Sequence, residues 1–329
     1  MSSPLPPGAG LVSPKSPSID FTSPLDTSTL KDRSVLITGG ASGIGLACVE
    51  KIASHGALVT VADVQDNAGQ DAVKALTSKG YKVQYVHCDV TDYTSQVDAF
   101  KSAIRFGGGG IDVFVPNAGI IAQENLVDMA AATEPSLDTV PPEPGYSGGD
   151  VNLKGVYLGC YLALHYFRLP PPVGATPFKK SIVLVASAAG YLGYPNSTTY
   201  SLSKFGVRGI FYGIRDKASQ SGVRVNLVAP FYVKTPMTDV LEGDSKASVH
   251  MLGFAPLENV VDAVLRFSAN QELEGRSAVL SPQGSFDTED DVYGSYGGVV
   301  MQKRMSAMME EILAKMAPKE NGAQENGVH

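Results

Sequence analysis

Short, continuous runs of Val, Ile and Leu alternate along this chain with segments whose apolar residues recur at helical spacing. The first such run, at 35–37, leads into a glycine-rich turn, and a helical pattern follows directly. Strands that are apolar on both faces are typical of a parallel sheet covered by helices on both sides. Parallel strands need crossover connections, which are almost always right-handed. The alternation therefore predicts a doubly wound α/β fold.

The same patterns predict where the elements lie. We expect seven strands, at 35–37, 58–62, 83–87, 111–115, 182–185, 223–228 and 277–280. We expect helices at 44–52, 71–79, 95–106, 151–167 and 200–220. In such a sheet the ligand crevice lies beyond the carboxyl ends of the strands, where the winding reverses. The residues that end each strand are therefore the first candidates for a functional site.

The chain ends do not share this alternation. Residues 1–30 hold six prolines among Ser, Thr and Gly, which predicts a disordered tail or, as an alternative, an arm packed on a partner subunit. Residues 31–285 form the predicted single catalytic domain. Residues 286–329 form an extension whose Met, Ile and Leu spacing at 299–316 predicts an amphipathic helix. The Pro-rich stretch at 120–150 predicts a lid, a binding loop or an insertion.

Charge and composition argue against several classes of protein. Asp and Glu number 33 against 26 Lys and Arg, so a net charge of −7 disfavours nucleic-acid binding. The sequence contains no run of 18 apolar residues, so we expect no membrane span. Three scattered Cys and five His lack metal-ligand spacing, so we expect no metal site and a reducing, cytoplasmic location.

The turn after the first strand resembles a phosphate cradle. Gly39 permits a sharp exit from the strand, Gly43 lets the backbone approach a pyrophosphate, and Gly45 lets the helix pack close to the sheet. The backbone around Ser42 and Ile44 then presents N–H groups to the ligand. Glycine spacing alone is a weak signal, but its position between strand and helix favours dinucleotide binding over a purely structural turn.

A carboxylate ends the second strand. Asp63 follows Gly45 by 18 residues and can accept hydrogen bonds from the hydroxyls of an adenosine ribose. It would repel a 2′-phosphate, and neither the glycine turn nor the next three residues contain Lys or Arg. This pattern predicts NAD rather than NADP as the cofactor. The alternative is that Asp63 caps the next helix.

The third and fourth strands also end on candidate cofactor contacts. We expect Asp89 to face the adenine amino group and Val90 the adenine ring, although Asp89 could instead cap the next helix. Asn117, Ala118 and Gly119 are small enough to leave room for the nicotinamide ribose. The four strand ends together are far more specific than any one of them.

A phenol and an ammonium lie one helical turn apart. Tyr200 and Lys204 are four residues apart, which places them on one face of a helix. A free tyrosine has a pKa of about 10, too high for a base at neutral pH. A nearby positive charge lowers that pKa, so we expect Lys204 to activate Tyr200 as a general base and also to hold the ribose.

Two further polar residues complete this predicted group. Ser187 ends the fifth strand, 13 residues before Tyr200, and can hydrogen-bond the substrate oxygen. Asn152 can hold a water molecule in a proton path from Lys204 to solvent, although it could simply be a buried helix amide. Tyr200 and Lys204 alone would be an ordinary pair on a helix face. Ser187 at this offset makes the catalytic interpretation strong.

Residues 32–285 resemble the short-chain dehydrogenase/reductase family. The matching motifs are Thr38-Gly39-x3-Gly43-Ile44-Gly45, Asp89-Val90, Asn117-Ala118-Gly119, Asn152, Ser187, Tyr200-x3-Lys204, Pro230 and Thr235. The resemblance implies a seven-stranded Rossmann sheet and hydride transfer between a nicotinamide and a hydroxyl or carbonyl carbon. It also implies that Tyr200 is the acid/base, Lys204 lowers its pKa, Ser187 orients the substrate and Asn152 anchors a relay.

The resemblance also assigns the loop after the sixth strand. It implies that Pro230, Val233 and Thr235 border the cofactor, with Val233 and Thr235 at the carboxamide and pyrophosphate. The chain departs from the family at Pro116, where Asn is usual, and at Phe231, where Gly is usual. Neither change removes a catalytic group, but Phe231 alters the substrate side.

The expected function is NAD-dependent oxidation of a secondary alcohol on a medium-sized hydrophobic substrate. The chain is similar to fungal specialised-metabolism and 15-hydroxyprostaglandin-type dehydrogenases. The alternatives are an NADH-dependent ketone reductase and a catalytically silent NAD-binding scaffold. The resemblance and the glycines of the 200–220 helix also predict a homodimer or homotetramer.

Overall fold

The Val-, Ile- and Leu-rich runs form the buried strands of one sheet. The structure is a computed structural model and describes residues 16–239, 241, 246, 249–250 and 253–288. In these residues eight strands hydrogen-bond to one another. They are β1 (Ser34–Thr38), β2 (Leu58–Asp63), β3 (Lys82–His87), β4 (Val113–Pro116), β5 (Lys180–Val185), β6 (Val223–Pro230), β7 (Ser277–Ser281) and β8 (Gly284–Asp287).

The order of the strands determines where a ligand can bind. The sheet runs β3-β2-β1-β4-β5-β6-β7-β8, and every neighbouring pair is parallel except β7 and β8. From β1 the chain passes to β2 on one side of the sheet, and β4 later pairs with β1 on the other side. This reversal opens a crevice at the carboxyl ends of β1 and β4. Thr38 and Pro116 pair at that edge.

Helices cover both faces of the sheet. They are α1 (Gly43–Ser54), α2 (Asp66–Ser78), α3 (Tyr93–Phe106), α4 (Leu126–Ala131), α5 (Ser147–Gly149), α6 (Gly155–Tyr166), α7 (Ala189–Leu192), α8 (Thr198–Gln220), α9 (Pro236–Asp239) and α10 (Leu257–Ala269). A 3₁₀ turn spans Ser28–Leu30 and a π-helical turn spans Asp150–Lys154.

Alternation along β1 shows how the two cores form. Val35 and Ile37 belong to the cluster that contains the buried faces of α1 and α10. Leu36, between them, belongs to the cluster that contains those of α3, α6 and α8. Successive side chains of a strand point to opposite faces, so a continuous apolar run fills both cores.

The doubly wound α/β fold is confirmed, with one strand more than the seven expected. The missed strand, β8, pairs antiparallel with β7 at the edge of the sheet. Its four residues, Gly-Ser-Phe-Asp, have no β-branched side chain and no apolar run, so they carry little strand signal. The short reversal between Ser281 and Gly284 returns the chain for this pairing.

The expectation of a disordered tail does not hold for residues 16–30. Leu30 is fully buried and Ile19 is buried, both in the core beside α1 and α10. Ser16 Oγ donates to the carbonyl oxygen of Glu274 at 2.8 Å, and Arg266 Nη1 donates to that of Asp20 at 3.0 Å. The apolar side chains between the prolines therefore anchor this segment to the domain. Residues 1–15 lie outside the described residues.

Only the first three residues of the predicted C-terminal extension are among the described residues. Residues 286–288 continue the sheet edge as the end of β8 and the residue after it. The predicted amphipathic helix at 299–316 lies outside the described residues. Among the helices that are described, none is long and apolar enough to cross a bilayer.

Candidate active site

The glycine turn after β1 and the start of α1 have no room for a side chain at Gly39 or at Gly45. Gly39 adopts φ +64°, and a Cβ there would lie 2.7 Å from the Cα of Ala118. A Cβ on Gly45 would lie 2.0 Å from the carbonyl oxygen of Gly39. Such distances are far inside van der Waals contact, so both positions require glycine. The close packing brings the start of α1 directly to the end of the strand.

The start of α1 offers unpaired donors to a ligand. Ser42 is the N-cap residue of α1, but its side chain makes no capping hydrogen bond. The first N–H groups of a helix have no intrahelical partner, and together with the helix dipole they favour an anion. Ser42, Gly43 and Ile44 line the large cavity at this edge of the sheet. The turn therefore fits the pyrophosphate of a dinucleotide.

Asn117 supports the glycine turn from behind. Its Nδ2 donates to the carbonyl oxygens of Thr38 and Gly39, at 3.0 Å each. Thr38 Oγ1 in turn accepts from the backbone N–H groups of Asn117 and Ala118. The sequence-based interpretation gave Asn117, Ala118 and Gly119 only the task of leaving space. All three do line the cavity, but the Asn117 amide also fixes the turn.

Asp63 lies at the end of β2, where the cavity begins. Its side chain is almost fully buried, with Oδ2 accepting from the N–H of Ala41 at 3.0 Å and Oδ1 from that of Gln65 at 3.1 Å. The carboxylate thus bridges the glycine turn and the segment before α2. Gln65, not Asp63, is the N-cap residue of α2, so the helix-cap alternative does not account for Asp63.

Asp89 and Val90 line the same cavity beside β3. Asp89 Oδ1 accepts from the backbone N–H and the hydroxyl of Thr91, both at 2.8 Å. The helix-cap alternative for Asp89 is wrong, because Asp92 caps α3 by accepting from the N–H of Thr94 at 2.9 Å. Asp89 therefore lines the cavity, and its hydrogen bonds with Thr91 set the orientation of its carboxylate.

Tyr200, Ser187 and Lys204 come together at the other side of the cavity. Tyr200 and Lys204 lie one turn apart on α8, with the Lys204 Nζ 5.6 Å from the centroid of the Tyr200 ring. The Ser187 side chain lies beside the Tyr200 hydroxyl, close enough to act on its pKa. Lys204 is buried and donates to the carbonyl oxygen of Val185 at 3.2 Å. All three residues line the cavity.

The protonation of this group differs from the sequence expectation. Burial raises the pKa of Tyr200 to about 12; the hydrogen bond with Ser187 opposes this, and the phenols of Tyr194 and Tyr232 add to it. Burial lowers the pKa of Lys204 to about 8. The expected lowering of the Tyr200 pKa is therefore wrong for the free protein, because desolvation of the phenol is the largest effect and outweighs the hydrogen bond with Ser187.

Ser187 is held by groups at the end of β6 and the start of α7. Its Oγ donates to the carbonyl oxygen of Pro230 at 3.3 Å and accepts from the N–H of Ala189 at 3.1 Å. Arg208, one turn beyond Lys204 on α8, donates to the carbonyl oxygen of Gly190 at 2.6 Å. These contacts fix the position of α7 and, through it, the orientation of the Ser187 hydroxyl.

Asn152 lies outside the cavity lining and is fully buried. Its Oδ1 accepts from the N–H of Ile120 and its Nδ2 donates to the carbonyl oxygen of the same residue, both at 2.8 Å. It sits in the π-helical turn Asp150–Lys154, where the predicted helix at 151–167 is irregular. Such turns occur often at functional sites. Asn152 thus ties this helix to the strand-end loop that contains Ile120.

The loop after β6 closes the cavity. Pro230, Val233 and Thr235 all line it, and Val233 forms an isolated bridge with Ala255. A Cβ on Gly43 would lie 3.3 Å from the Thr235 side chain, so the loop approaches the glycine turn closely. Of the predicted site residues, Gly45 and Asn152 alone do not line the cavity.

The cavity is continuous from Asp63 to the surroundings of Tyr200, with a volume of about 590 Å³. Beyond Tyr200 its lining is mostly apolar or aromatic. These residues are Ile120, Ile121, Leu192, Tyr194, Pro195, Phe231, Tyr232 and Met237. The Tyr194 and Tyr200 rings meet edge to face with centroids 5.5 Å apart. This end fits a hydrophobic substrate, and the end near Asp63 fits a nucleotide.

One buried carboxylate next to this site was missed from the sequence. Glu124 accepts from the hydroxyl of Thr199, the residue before Tyr200, at 2.6 Å. Glu124 lies in the Pro-rich stretch at 120–150, far along the chain from Thr199, so no local pattern points to it. Across the described ranges, no group of His, Cys, Asp or Glu side chains could hold a metal ion.

Comparisons with known proteins show the family of this chain. The model of the family described as short chain dehydrogenase matches residues 33–246. A 5′-hydroxyaverantin dehydrogenase from Dothistroma septosporum is 42% identical over 295 residues, which cover 86% of this chain and 96% of that protein. An NADP-dependent dehydrogenase, clz5, from Cochliobolus lunatus is 29% identical over 267 residues, covering 78% and 91%.

A solved structure shares the fold. The crystal structure of a dehydrogenase/reductase from Sinorhizobium meliloti superimposes with a TM-score of 0.64 at 20% identity, covering 78% of this chain and 97% of that one.

Proposed function

Because this chain belongs to the short-chain dehydrogenase family and is therefore an oxidoreductase that uses a nicotinamide dinucleotide, we propose that it oxidises a secondary alcohol with NAD. The substrate of this proposal is a medium-sized hydrophobic molecule, and Tyr200 is its general base. The supporting observation is that Tyr200, Ser187 and Lys204 open into one cavity with the glycine turn. A silent scaffold would not need this group.

The roles of the side chains follow from their contacts. A bound nicotinamide dinucleotide supplies the hydride acceptor. Ser187 donates to the substrate oxygen, and Tyr200 accepts the hydroxyl proton as the carbon is oxidised. With a pKa raised to about 12, Tyr200 keeps its proton in the free protein, so its activation requires positive charge beside it. Protonated Lys204 supplies part of that charge and passes the proton onward; Asn152 is the proposed anchor of that relay.

The preference for NAD over NADP rests on Asp63. Its buried carboxylate lies where the ribose of the adenosine half would bind and would repel a 2′-phosphate. The glycine turn adds no cation that could compensate. Some relatives carry NADP in their names, so this preference is the first property of the cofactor site to measure.

The substrate class follows from the apolar end of the cavity. Leu192, Phe231 and Met237 offer aliphatic and aromatic surface, and the phenols of Tyr194 and Tyr232 offer hydrogen bonds. Such a lining fits a bulky alcohol with a few polar groups. The similarity to a 5′-hydroxyaverantin dehydrogenase supports a fungal polyketide-like alcohol.

One observation favours a second candidate, reduction of a ketone with NADH. A Tyr200 that is protonated at neutral pH is ready to donate a proton, as reduction requires. The two candidates use the same residues in opposite directions. Steady-state rates in both directions, with matched alcohol and ketone, distinguish them.

A homodimer or homotetramer is also part of the proposal. Tyr157 and Tyr161 of α6 and Phe205 of α8 are large side chains exposed on adjacent helices. A Cβ added at Gly209 or Gly213 of α8 would meet nothing within 4 Å, so a second helix has room to approach there. Light scattering that showed only a monomer would contradict the proposed oligomer.

The test of the function is NADH formation with a panel of secondary alcohols, from small aliphatic ones to hydroxylated polycyclic ones. We expect turnover to increase with hydrophobic size and to depend on NAD more than on NADP. Calorimetry that shows NAD binding without turnover of any alcohol or ketone would favour the silent scaffold instead.

A further inference from the structure

Glu124 is a buried carboxylate whose oxygens are fully occupied by donors. Oε1 accepts from the N–H and the hydroxyl of Ser147, at 2.8 and 2.6 Å. Oε2 accepts from the N–H of Gly148 at 3.2 Å and from the hydroxyl of Thr199 at 2.6 Å. No ion pair to Glu124 occurs among the residues that the structure describes. Within the described residues, the charge is therefore stabilised by hydrogen bonds.

These hydrogen bonds keep Glu124 ionised. Burial works to raise the pKa of Glu124, but the bonds from Ser147, Thr199 and Gly148 outweigh it and hold the pKa below its usual range. Burying an unpaired charge is costly, so a carboxylate in this position must keep its donors in place. The donors lie at the starts of two helical segments, α5 and α8.

The backbone of Glu124 also binds the start of α8, and together with the carboxylate it forms a clamp on that helix. Its carbonyl oxygen accepts from the N–H groups of Thr198 and Thr199, at 2.9 and 3.4 Å. Thr198 Oγ1 accepts in turn from the N–H of Leu126 at 3.2 Å. The first turn of α8, which carries Tyr200, is thereby attached to the 120–150 segment through both backbone and side chain.

The space around Thr199 shows how closely the parts fit. A Cβ on Gly148 would lie 2.8 Å from the Thr199 hydroxyl oxygen, and one on Gly145 would lie 3.1 Å from Glu124 Oε1. Tyr200 follows Thr199 directly, and its N–H donates to Ser197 Oγ at 3.2 Å. A shift of Glu124 would therefore be transmitted to Tyr200 through a single residue.

We propose that Glu124 is a positioning residue for Tyr200, which holds the first turn of α8 so that the phenol stays in hydrogen-bonding distance of Ser187. The inference rests on the proposed function, since Tyr200 is the residue whose position matters. Misplacing a reacting group by about 1 Å can cost about a hundredfold in rate. A role in stability alone would leave turnover unchanged in the variants that still fold.

The variant Glu124→Gln tests this with little change of shape. Its amide nitrogen would face the N–H of Ser147 or of Gly148, whichever way it is turned, so one donor always loses its acceptor. We expect kcat to fall by about 10- to 100-fold, with the Kd for NAD within about twofold of the wild type. Asp128→Asn, an exposed carboxylate in the same segment, is the matched control and should change neither value.

Two further variants separate positioning from folding. Thr199→Val removes the hydroxyl that donates to Glu124 and should lower kcat like Glu124→Gln, whereas Thr199→Ser keeps the hydroxyl and should restore it. Because both changes weaken the same set of hydrogen bonds around the Glu124 carboxylate, the double variant should lose little more than either single variant. A folded Glu124→Gln protein with wild-type kcat, or one in which kcat and NAD affinity fall together, overturns the inference.

Hydrogen exchange provides a readout that does not depend on activity. We expect the amides at 198–203 to exchange faster in Glu124→Gln than in the wild type, while those of α1 are unchanged. If the wild type oxidises no alcohol, the proposed function fails, and exchange still decides whether Glu124 holds Tyr200 in place. Unchanged exchange at 198–203 would refute the clamp in either case.

Discussion

The two ends of the cavity are formed by different kinds of structural element. The cofactor end, from Gly39 to Gly119, consists of strand ends, glycines and backbone N–H groups that lie close to one another in the sheet. The substrate end consists of side chains from α7, α8, the β6 loop and the 120–150 segment. Local sequence therefore determines the first end, whereas contacts between distant segments determine the second. The two ends should respond differently to substitution.

The largest expected effect is at the reacting group. Tyr200→Phe removes the proton acceptor but keeps the ring that packs against Tyr194. We expect kcat to fall by about 10²- to 10⁴-fold, with NAD affinity unchanged, because the cofactor end does not need the hydroxyl. Single-turnover NADH formation and NAD titration measure the two quantities. A Tyr200→Phe enzyme with more than about a tenth of the wild-type kcat would contradict the assigned role.

The opposite pattern is expected at the cofactor end. Gly45→Ala would place a Cβ 2.0 Å from the carbonyl oxygen of Gly39 and so force the glycine turn to move. We expect a loss of about 1–3 kcal/mol in the free energy of unfolding and NAD binding weaker by at least about tenfold. Denaturant unfolding and NAD titration test this.

The matched control for Gly45→Ala is Gly213→Ala in α8, where an added Cβ meets nothing within 4 Å. It should leave NAD binding unchanged and, within one subunit, favour the helix slightly. Since Gly213 also lies on the proposed subunit contact, a loss of stability at this position would report that contact and not the cofactor end. Equal effects of the two substitutions would show that the tight packing around Gly45 does not matter for the cofactor.

A charge change at Asp63 tests cofactor choice with little change in side-chain size. The backbone N–H of Ala41 or of Gln65 loses its acceptor in Asp63→Asn, but this loss affects both cofactors and cancels in their ratio. In Asp63→Asn the repulsion of a 2′-phosphate is lost and the ribose loses a charged acceptor, whose bonds contribute about 1.5–3 kcal/mol. We expect the ratio of kcat/KM for NAD to that for NADP to fall by about 10- to 100-fold. Asp66→Asn is the control, because Asp66 is exposed and bonds Tyr85 and His87. A ratio that changes equally in both would remove Asp63 as the determinant.

These three experiments also mark how far the sequence could be interpreted. The strand ends and glycines are local features, so Gly39, Asp63 and Asn117 were placed correctly at one edge of the sheet. The helix spacing of Tyr200 and Lys204 likewise predicted that they share a face. The direction of the Tyr200 pKa shift was wrong, because it depends on burial by segments distant in sequence.

The features that escaped prediction share that physical reason. Glu124 acquires its function from Ser147 and Thr199, which only the folded chain brings to it. Strand β8 forms because β7 offers an unpaired edge, although its own residues have weak strand propensity. Ser16 and Ile19 are ordered by contacts with the other end of the domain, and one of these joins Ile19 to Asp287.

Burial of Lys204, at the substrate end of the cavity, makes the free energy of unfolding of the protein depend on pH. Its pKa falls from 10.5 in the unfolded chain to about 8 in the folded protein, so between these values the unfolded state binds more protons. The contribution of Lys204 to the free energy of unfolding should therefore rise with pH from about 8 toward 10, whereas the buried thiols, whose pKa values are raised, contribute a fall. In Lys204→Met this rise should be absent, and unfolding at several pH values compares the two proteins. Parallel curves for both would show that Lys204 is not desolvated.

The smallest effects separate two neighbouring carboxylates at the cofactor end. Asp92 caps α3, so Asp92→Ala should cost about 1 kcal/mol of stability and leave the KM for NAD unchanged. Asp89 lines the cavity and its carboxylate accepts from Thr91 in the adjoining turn rather than from a residue of α3, so Asp89→Ala should raise that KM with less loss of stability. The two side chains are three residues apart, and each accepts from the N–H group two residues further along the chain, but of the two Asp89 alone lines the cavity. If Asp92→Ala raised the KM as much as Asp89→Ala, then distortion of the loop, rather than contact with the nucleotide, would explain both.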